Sequence, residues 1–451
     1  MRQSFFAAIC CVLLSNLAYA DTLSQILSYS YENNLTLLAD REAQKITDEE
    51  VAKAKSGYRP QVSTDFSVGK SHNSQEFLNV ADKQTYDQTP KSLQLTVNQP
   101  VFSGFSTMNA VRSAKKQVQV GRNTLLTSEQ AILLQTVMVY MDVIRDKAVL
   151  ELQENQEKVL KKHLDSYRKR FKAGSLTRTD VAQSEARAAG ATAAKIAADG
   201  QLKMSEAMFY SVVGIAPSEL EDVDQLNLKL PQSLTEAMDL ALKKNPQILA
   251  ARYAQEAARY AVSAQKGVLL PSLNVGGSVG RTEENMSVDK NDYWQVKANL
   301  SVPLYQSGTE YANVRQAKLA ENRYRILWNK TLQDVHADVI SAWEKYTATK
   351  AQIESVKSQI KASKLALNGV IREAKVGSRT VLDVLDAEQE HLDNQVALVR
   401  IHHDEIMAAF SLMSAVGSMN PEALSLSVKP YNPKEYYEAV KNKWLGYSTD
   451  Y

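Results

Sequence analysis

The amino-acid sequence contains the same structural plan twice. Residues 22–69 align without a gap with residues 233–280, and after Pro100, which matches Pro303, the second copy follows at a slightly shorter spacing. An internal repeat of about 200 residues indicates one supersecondary unit used twice, so any proposed fold has to account for both copies. The predicted divisions are repeat 1 over 21–217, a linker over 218–232, repeat 2 over 233–420 and a C-terminal segment over 421–451.

Residues 1–20 have the pattern of a secretory signal peptide. Arg2 supplies a positive charge, residues 5–17 are an apolar run too short to span a bilayer, and residues 18–20 form a small-x-small cleavage site. Both cysteines, Cys10 and Cys11, lie inside this segment. We therefore expect an exported mature chain with no disulfide and no thiol chemistry.

Each repeat is predicted to begin with a helix, because its apolar residues recur at helical spacing. This helix is expected over 23–57 in the first repeat and over 234–267 in the second. Pro246 lacks a backbone N–H and clashes with the preceding turn, so it predicts a break in the second copy.

The period then changes from helical to alternating. Strict alternation of apolar and polar residues predicts a β-hairpin at about 61–102 and another at about 271–305, each strand with one apolar and one polar face. The stretches between the paired strands, 70–91 and 281–293, are polar and are predicted to be loops.

Two exceptionally long helices follow, predicted at about 105–171 and 309–376. Each contains no proline, and at 1.5 Å per residue each is roughly 100 Å long. Apolar residues spaced by alternating steps of three and four indicate a coiled-coil seam. A glycine ends each long helix, and a shorter helix, at 177–213 or 380–416, completes a helical hairpin.

Four amphipathic strands are too few to close a membrane barrel, which needs at least about eight. No apolar run after the signal peptide is long enough for a membrane helix. If the apolar strand faces contact lipid, several chains have to pool their strands. The sequence therefore predicts an oligomer in a bacterium with an outer membrane.

The chain resembles the TolC family of outer-membrane exit ducts over nearly all of its mature length. The resemblance rests on the repeat, on the strand-to-helix segments 99–104 and 302–308, and on the hairpin segment 376–387, which reads VGSRTVLDVLDA. It implies a mainly α fold with a β part: a homotrimer that shares a 12-stranded outer-membrane barrel, four strands per chain. It also implies a long coiled-coil periplasmic tunnel with a small α/β equatorial belt.

The same resemblance implies a function and partners. Such a duct gives passive exit to proteins in type I secretion or to small toxic compounds in efflux. An inner-membrane ABC or proton-driven pump drives export, and a periplasmic adaptor protein links the pump to the duct. The implied location is the outer membrane of a Gram-negative bacterium, in contact with its lipid.

Asp383 and Asp386 are candidate pore residues. Their spacing places them one turn apart on one helix face, and the resemblance implies that three copies form an acidic ring at the periplasmic entrance. Carboxylates crowded around one axis attract cations. From the residues alone, Asp383 could instead cap a helix that Thr380 begins, with Asp386 solvated.

The resemblance also implies an entrance latch, in which Arg379 reaches Thr179 and Asp180 of a neighbouring protomer. Members of the family often have a second lock, a tyrosine three residues before the hairpin glycine, where this chain has Ala374. The hairpin tips are the expected docking site for the adaptor; they contain Gly174, Ser175, Gly377 and Ser378.

Other chemistry has little support in the sequence. Glu388 and His391 have the spacing of a carboxylate-metal motif, but we interpret them as a solvated helix face because the repeat partner of His391 is Ala188. No phosphate loop or nucleophile motif is found, so we expect neither an enzyme nor a bound metal or cofactor, and no nucleic-acid partner. The alternatives are a secreted structural coiled-coil or adhesin-like protein and a general porin.

Overall fold

The computed structural model describes residues 22–75, 84–223, 228–284 and 289–449. The predicted signal peptide and both cysteines lie outside the described residues. The helices are α1 (Leu23–Asn33), α2 (Leu35–Lys55), α3 (Ser106–Lys172), α4 (Arg178–Val213), α5 (Leu234–Lys244), α6 (Pro246–Gly267), α7 (Thr309–Lys375), α8 (Val381–Ala415) and α9 (Lys434–Val440). The strands are β1 (Gln61–Val68), β2 (Ser71–Gln75), β3 (Gln84–Gln88), β4 (Lys91–Ser103), β5 (Ser272–Glu284) and β6 (Asp289–Ser301).

The first repeat does not begin with one continuous helix, so the prediction of a helix over 23–57 is wrong. The backbone is extended at Asn34 (φ −64°, ψ 122°), which separates α1 from α2. The Asn34 side chain accepts hydrogen bonds from the backbone N–H groups of Thr36 (3.0 Å) and Leu37 (3.1 Å), and it donates to the Val212 carbonyl at 2.8 Å. Asparagine breaks the helix here because its side chain replaces the lost backbone partners.

The second repeat has the same break, at the position that Pro246 predicts. Asn245 is extended (φ −62°, ψ 120°) and its side chain donates to the Ala415 carbonyl at 2.9 Å. Pro246 is the first residue of α6, where the missing N–H costs no helical hydrogen bond. Two equivalent asparagines therefore join a short helix to the carboxyl end of α4 or α8.

The predicted hairpins combine into one antiparallel sheet with the strand order β1-β4-β5-β6. Residues directly opposite each other lie on one face of a sheet. One row across the four strands consists of Thr64, Leu95, Val279 and Trp294, and the neighbouring row consists of Ser63, Thr96, Ser278 and Gln295. The sheet therefore has one mainly apolar face and one polar face.

The two predicted polar loops contain more strand than the sequence analysis expects. In the first, over 70–91, β2 and β3 form a separate two-stranded antiparallel sheet. In the second, over 281–293, β5 and β6 extend the main sheet. Polar side chains pair across these strands, as in the bond from Arg281 Nε to Asp292 Oδ1 at 2.6 Å. These strands pair without an apolar face, so alternation of apolar and polar residues does not predict them.

The long helices α3 and α7 each contain 67 residues. Their bounds agree with the predicted ranges to within one residue at each end. At 1.5 Å per residue each is roughly 100 Å long, as the absence of internal proline predicts.

The compact units of the chain do not follow the two repeats. One unit comprises the described parts of 1–39, 127–245 and 335–431, and the other comprises those of 40–126, 246–334 and 432–451. Each unit thus takes corresponding segments from both repeats. The first unit buries Leu133, Tyr140, Phe209, Leu412 and Met413, and the second buries Val51, Val111, Val118 and Leu125.

Candidate functional site

The predicted hairpin tips are turns of the same construction. Gly174 and Gly377 have φ angles of 76° and 82°, a region that strongly favours glycine. Ser175 and Ser378 each donate from the backbone N–H and from the hydroxyl to the carbonyl five residues earlier, at 3.0 Å in all four bonds. These bonds satisfy carbonyls at the ends of α3 and α7, and Gly174, Ser175, Gly377 and Ser378 are all exposed.

The helix that follows each turn begins with a reciprocal cap. The backbone N–H and the hydroxyl of Thr380 both donate to Asp383 Oδ2 at 2.8 Å, and the Asp383 N–H donates back to the Thr380 hydroxyl at 3.2 Å. Thr177 and Asp180 form the same cap in the first hairpin. The Thr-x-x-Asp cap that the sequence offers for Asp383 is therefore confirmed. The bonds from Thr380 lower the pKa of Asp383, which keeps the carboxylate ionised.

Asp386 lies one turn beyond Asp383 on α8, as the spacing predicts, but it has a partner. Arg187 on α4 donates from Nη2 to Asp386 Oδ1 at 2.6 Å. Both side chains are substantially exposed, at 40% for Arg187 and 56% for Asp386. The negative charge of Asp386 is therefore balanced within the same chain, while its side chain remains exposed, as the alternative of a solvated Asp386 expects.

Arg379 lies in the turn of the second hairpin. Its Nε donates to Glu373 Oε2 at 2.9 Å, and both side chains are half exposed. The predicted latch partners, Thr179 and Asp180, lie in the first turn of α4. The latch joins neighbouring protomers, so it stays a prediction for the single chain.

The prediction of a solvated helix face for Glu388 and His391 is wrong for Glu388. Its side chain is only 6% exposed, and its Oε1 lies 3.0 Å from Nε2 of His163 on α3. The hydrogen bond to Glu388 raises the pKa of His163, although burial opposes this. The His163 ring also lies 5.7 Å from that of Tyr167. His391 contacts Ser363 instead, with 3.1 Å between Nδ1 and Oγ.

Sequence reasoning missed Arg187 and His163. Each lies on a long amphipathic helix among many charged residues, and no motif marks it. Comparison of the two repeats gives a signal for Arg187. Asp386 in the second copy corresponds to the uncharged Gln183 in the first, and the positively charged Arg187 lies one turn after Gln183. Equivalent faces of α4 and α8 thus differ in charge, which favours an ion pair between them.

Among the helices of 22–75, 84–223, 228–284 and 289–449, none combines the length and the apolar character required to cross a membrane.

Comparison with known proteins identifies the family. The sequence profile of the family described as outer membrane efflux protein matches residues 26–214 and 237–418. The chain is 36% identical to the outer membrane efflux protein BepC of Brucella suis biovar 1, across 97% of this chain and 94% of that protein. It is 23% identical to the outer membrane protein TolC of Vibrio cholerae, across 91% and 93%. The chain belongs to the outer membrane efflux protein family.

A solved structure shows the same fold. The outer membrane protein VceC of Vibrio cholerae superposes with a TM-score of 0.75 at 19% identity, covering 88% of this chain and 96% of that one. Members of this family are transport channels. The protein is therefore an outer-membrane channel of the efflux and secretion type, with a large periplasmic helical part.

Proposed function

We propose that three copies of the chain form a closed duct across the outer membrane. The observation that carries this proposal is the four-stranded sheet with one apolar face, because four strands cannot close a barrel alone. Three such sheets would supply twelve strands, enough to close with the apolar faces toward lipid. Exposed apolar side chains on that face, Val62, Phe66, Leu95, Val279, Trp294 and Val296, support contact with lipid.

The periplasmic entrance is proposed to lie at the second hairpin. Three copies of Asp383 and Asp386 would place six carboxylates around the pore axis, and such a ring attracts cations. The ionised state of Asp383 supports this role. Arg379 of one protomer, reaching Thr179 and Asp180 of the next, is the proposed latch. It would have to exchange its present partner, Glu373, for them.

The duct is proposed to be passive. A periplasmic adaptor would dock on the exposed turns at Gly174, Ser175, Gly377 and Ser378, and an inner-membrane ABC or proton-driven pump would supply the energy. The matched backbone geometry of the two turns supports docking to a repeated partner surface. Export of proteins by type I secretion and efflux of small toxic compounds are both compatible with a passive tunnel.

Conductance in planar bilayers tests the proposal. The wild-type trimer is expected to show low conductance that a multivalent cation such as hexamminecobalt lowers further. Replacing both Asp383 and Asp386 by Ala is expected to weaken the block severalfold, whereas Glu185→Ala removes an exposed carboxylate of the first hairpin and leaves the block unchanged. Arg379→Ser is expected to raise conductance if the latch exists.

Other outcomes favour the alternatives. High constitutive conductance without cation block indicates a general porin. Extraction of the protein without detergent indicates a secreted structural coiled coil. Unchanged conductance in Arg379→Ser rejects the latch alone.

A further inference from the structure

Two side-chain pairs connect the first helical hairpin (α3–α4) to the second (α7–α8) within one chain: an ion pair, and a histidine–glutamate pair that is ionic when the histidine is protonated. Arg187 on α4 pairs with Asp386 on α8 at 2.6 Å, and His163 on α3 pairs with Glu388 on α8 at 3.0 Å. These four residues are called the hairpin clasp. The partners are far apart in sequence, so both pairs fix tertiary structure and not the shape of a single helix.

The clasp lies beside an apolar contact between the same helices. The buried residues of that contact are Leu160 and Tyr167 on α3, Ala188 and Ala191 on α4, and Val381 and Leu385 on α8. Glu388 lies one turn beyond Val384 and Leu385, so its burial follows the buried face of α8. The pair with His163 therefore forms at the margin of the apolar contact, and the pair with Arg187 lies nearer to solvent.

Packing next to the clasp is incomplete. A cleft of about 520 Å³ is lined by residues of α3, α4 and α8, among them Arg187, Gly190, Ala194, Leu382 and Gln389. The small residues Gly190 and Ala194 on α4 leave this space beside the buried apolar contact. Arg187 lines the cleft and is 40% exposed, so its pair with Asp386 can be broken without removing a buried apolar side chain.

The charges assign different roles to the two aspartates of α8. Asp383 is held by the cap of its own helix, and those bonds are unaffected by movement of the other hairpin. Asp386 is held by a residue of the other hairpin and becomes a free carboxylate only when the hairpins separate. Whether Arg187 neutralises the negative charge of Asp386 therefore depends on whether the hairpins are together.

We infer that Arg187–Asp386 and His163–Glu388 form a within-chain clasp that holds the two hairpins of each protomer together when the entrance is closed. The clasp takes the place of the second lock that this chain lacks at Ala374. Arg187 and His163 act as positioning residues, because neither needs to contact the cargo. This inference rests on the proposed function, in which the hairpins surround a closed entrance.

The clasp has a consequence for cation binding. While Arg187 neutralises Asp386, only Asp383 contributes a full negative charge to the proposed ring. Loss of Arg187 therefore has two effects: the entrance opens more readily, and the ring becomes more negative. If Asp386 served only as an unpaired pore carboxylate, removing Arg187 would not change how readily the entrance opens.

Single-channel conductance and hexamminecobalt block, measured on purified trimers in planar bilayers, separate these possibilities. Arg187→Gln is expected to raise conductance severalfold and to tighten the block. Asp386→Asn is expected to raise conductance to a similar level and to weaken the block. The double variant is expected to conduct no more than the larger single variant, because both changes break one interaction. Arg187→Asp combined with Asp386→Arg is expected to restore low conductance.

Arg168→Gln is the matched control. Arg168 Nη2 lies 2.8 Å from Glu185 Oε1, both side chains are exposed, and the pair joins α3 to α4 inside one hairpin. Its loss is expected to leave conductance and cation block at wild-type values. Trimer yield and far-ultraviolet circular dichroism verify that each variant folds.

Three outcomes separate failure of the clasp from failure of the proposed function. If wild-type conductance is low but Arg187→Gln conducts like the wild type, the clasp is rejected and the proposed duct stands. If Arg187→Gln and Arg168→Gln raise conductance equally, general loosening explains the result and the clasp is also rejected. If the wild type already conducts freely and is insensitive to hexamminecobalt, the proposed closed entrance itself is rejected.

Discussion

The two helical hairpins have the same backbone but use equivalent positions in different ways. Glu185 in the first hairpin is exposed and pairs with Arg168 of the same hairpin. Its counterpart in the second repeat, Glu388, is buried and pairs with His163 of the other hairpin. One ancestral position thus stabilises a single hairpin in one copy and connects two hairpins in the other.

The same contrast holds at the next turn of the helix. Arg187 in the first repeat corresponds to Glu390 in the second, and Gln183 corresponds to Asp386. The glycine, serine and threonine of each turn are shared and determine the backbone. The charged residues beyond the turn differ, and they give each hairpin its own partners.

The largest expected effect concerns the free energy of unfolding. It tests whether the buried His163–Glu388 pair contributes more than the exposed Arg168–Glu185 pair. His163→Ala leaves a carboxylate that is 6% exposed without its partner, which is expected to destabilise the protein by about 3 kcal/mol. Arg168→Ala leaves an exposed carboxylate in water and is expected to cost less than about 1 kcal/mol. Thermal unfolding of the purified protein measures both. Equal losses would show that the buried and exposed pairs are equivalent.

A smaller effect is expected at the asparagines that break the first helices. Asn34→Ala removes two capping bonds and leaves the Val212 carbonyl unpaired, at an expected cost of about 2 kcal/mol. Asn245→Ala is expected to destabilise in the same direction, because it loses the bond to Ala415. The exposed neighbour Asn33 is the control, and Asn33→Ala is expected to change the thermal midpoint little. If Asn34→Ala leaves the thermal midpoint unchanged, the two asparagines do not stabilise the two repeats in the same way.

The smallest expected effect is a dependence on pH that only one of the two glutamate pairs should show. Glu388 raises the pKa of His163 above its ordinary value; the titratable groups that face this histidine are Glu388 and Tyr167. A histidine whose pKa is raised in the folded state stabilises the folded protein, and this contribution is complete below the unfolded-state pKa. The contribution is lost as pH rises through the folded-state pKa. Thermal stability is therefore expected to fall as pH rises above about 6.5, the ordinary pKa of histidine.

His163→Gln is expected to make this fall smaller; the part that remains belongs to His403, whose pKa is raised by its hydrogen bonds to Asp142 and Asp404 although burial opposes this. His391→Gln, which alters a histidine whose contact is the uncharged Ser363, is expected to leave the fall unchanged. A fall of wild-type size in His163→Gln would show that His163 does not contribute to the pH dependence.

The sequence predicts those features that depend on local backbone chemistry. Gly174 and Gly377 mark turns because a positive φ angle favours glycine, and Thr177 and Thr380 begin helices because their hydroxyls cap them. The bounds of α3 and α7 follow from unbroken helical periodicity. These signals lie within a few residues of the feature that they predict.

The features that escaped prediction depend on distant partners. Asn34 caps the helix that follows it, but its side chain also donates to the carbonyl of Val212, which is far away in sequence. Strands β2 and β3 are polar on both faces, so hydrophobic alternation does not reveal them. Asp386 pairs with Arg187 only because the tertiary fold brings α4 beside α8. Burial of Glu388 likewise depends on the packing of α3 against α8.

The identical length of α3 and α7 limits how such a protein can change in size. A single residue inserted into one of them would rotate every later side chain by about 100° about the helix axis and put it out of phase with its counterpart in the other. Matched insertions of seven residues in both helices would keep the coiled-coil phase. The lengths of α3 and α7 can therefore change only together and in multiples of seven residues.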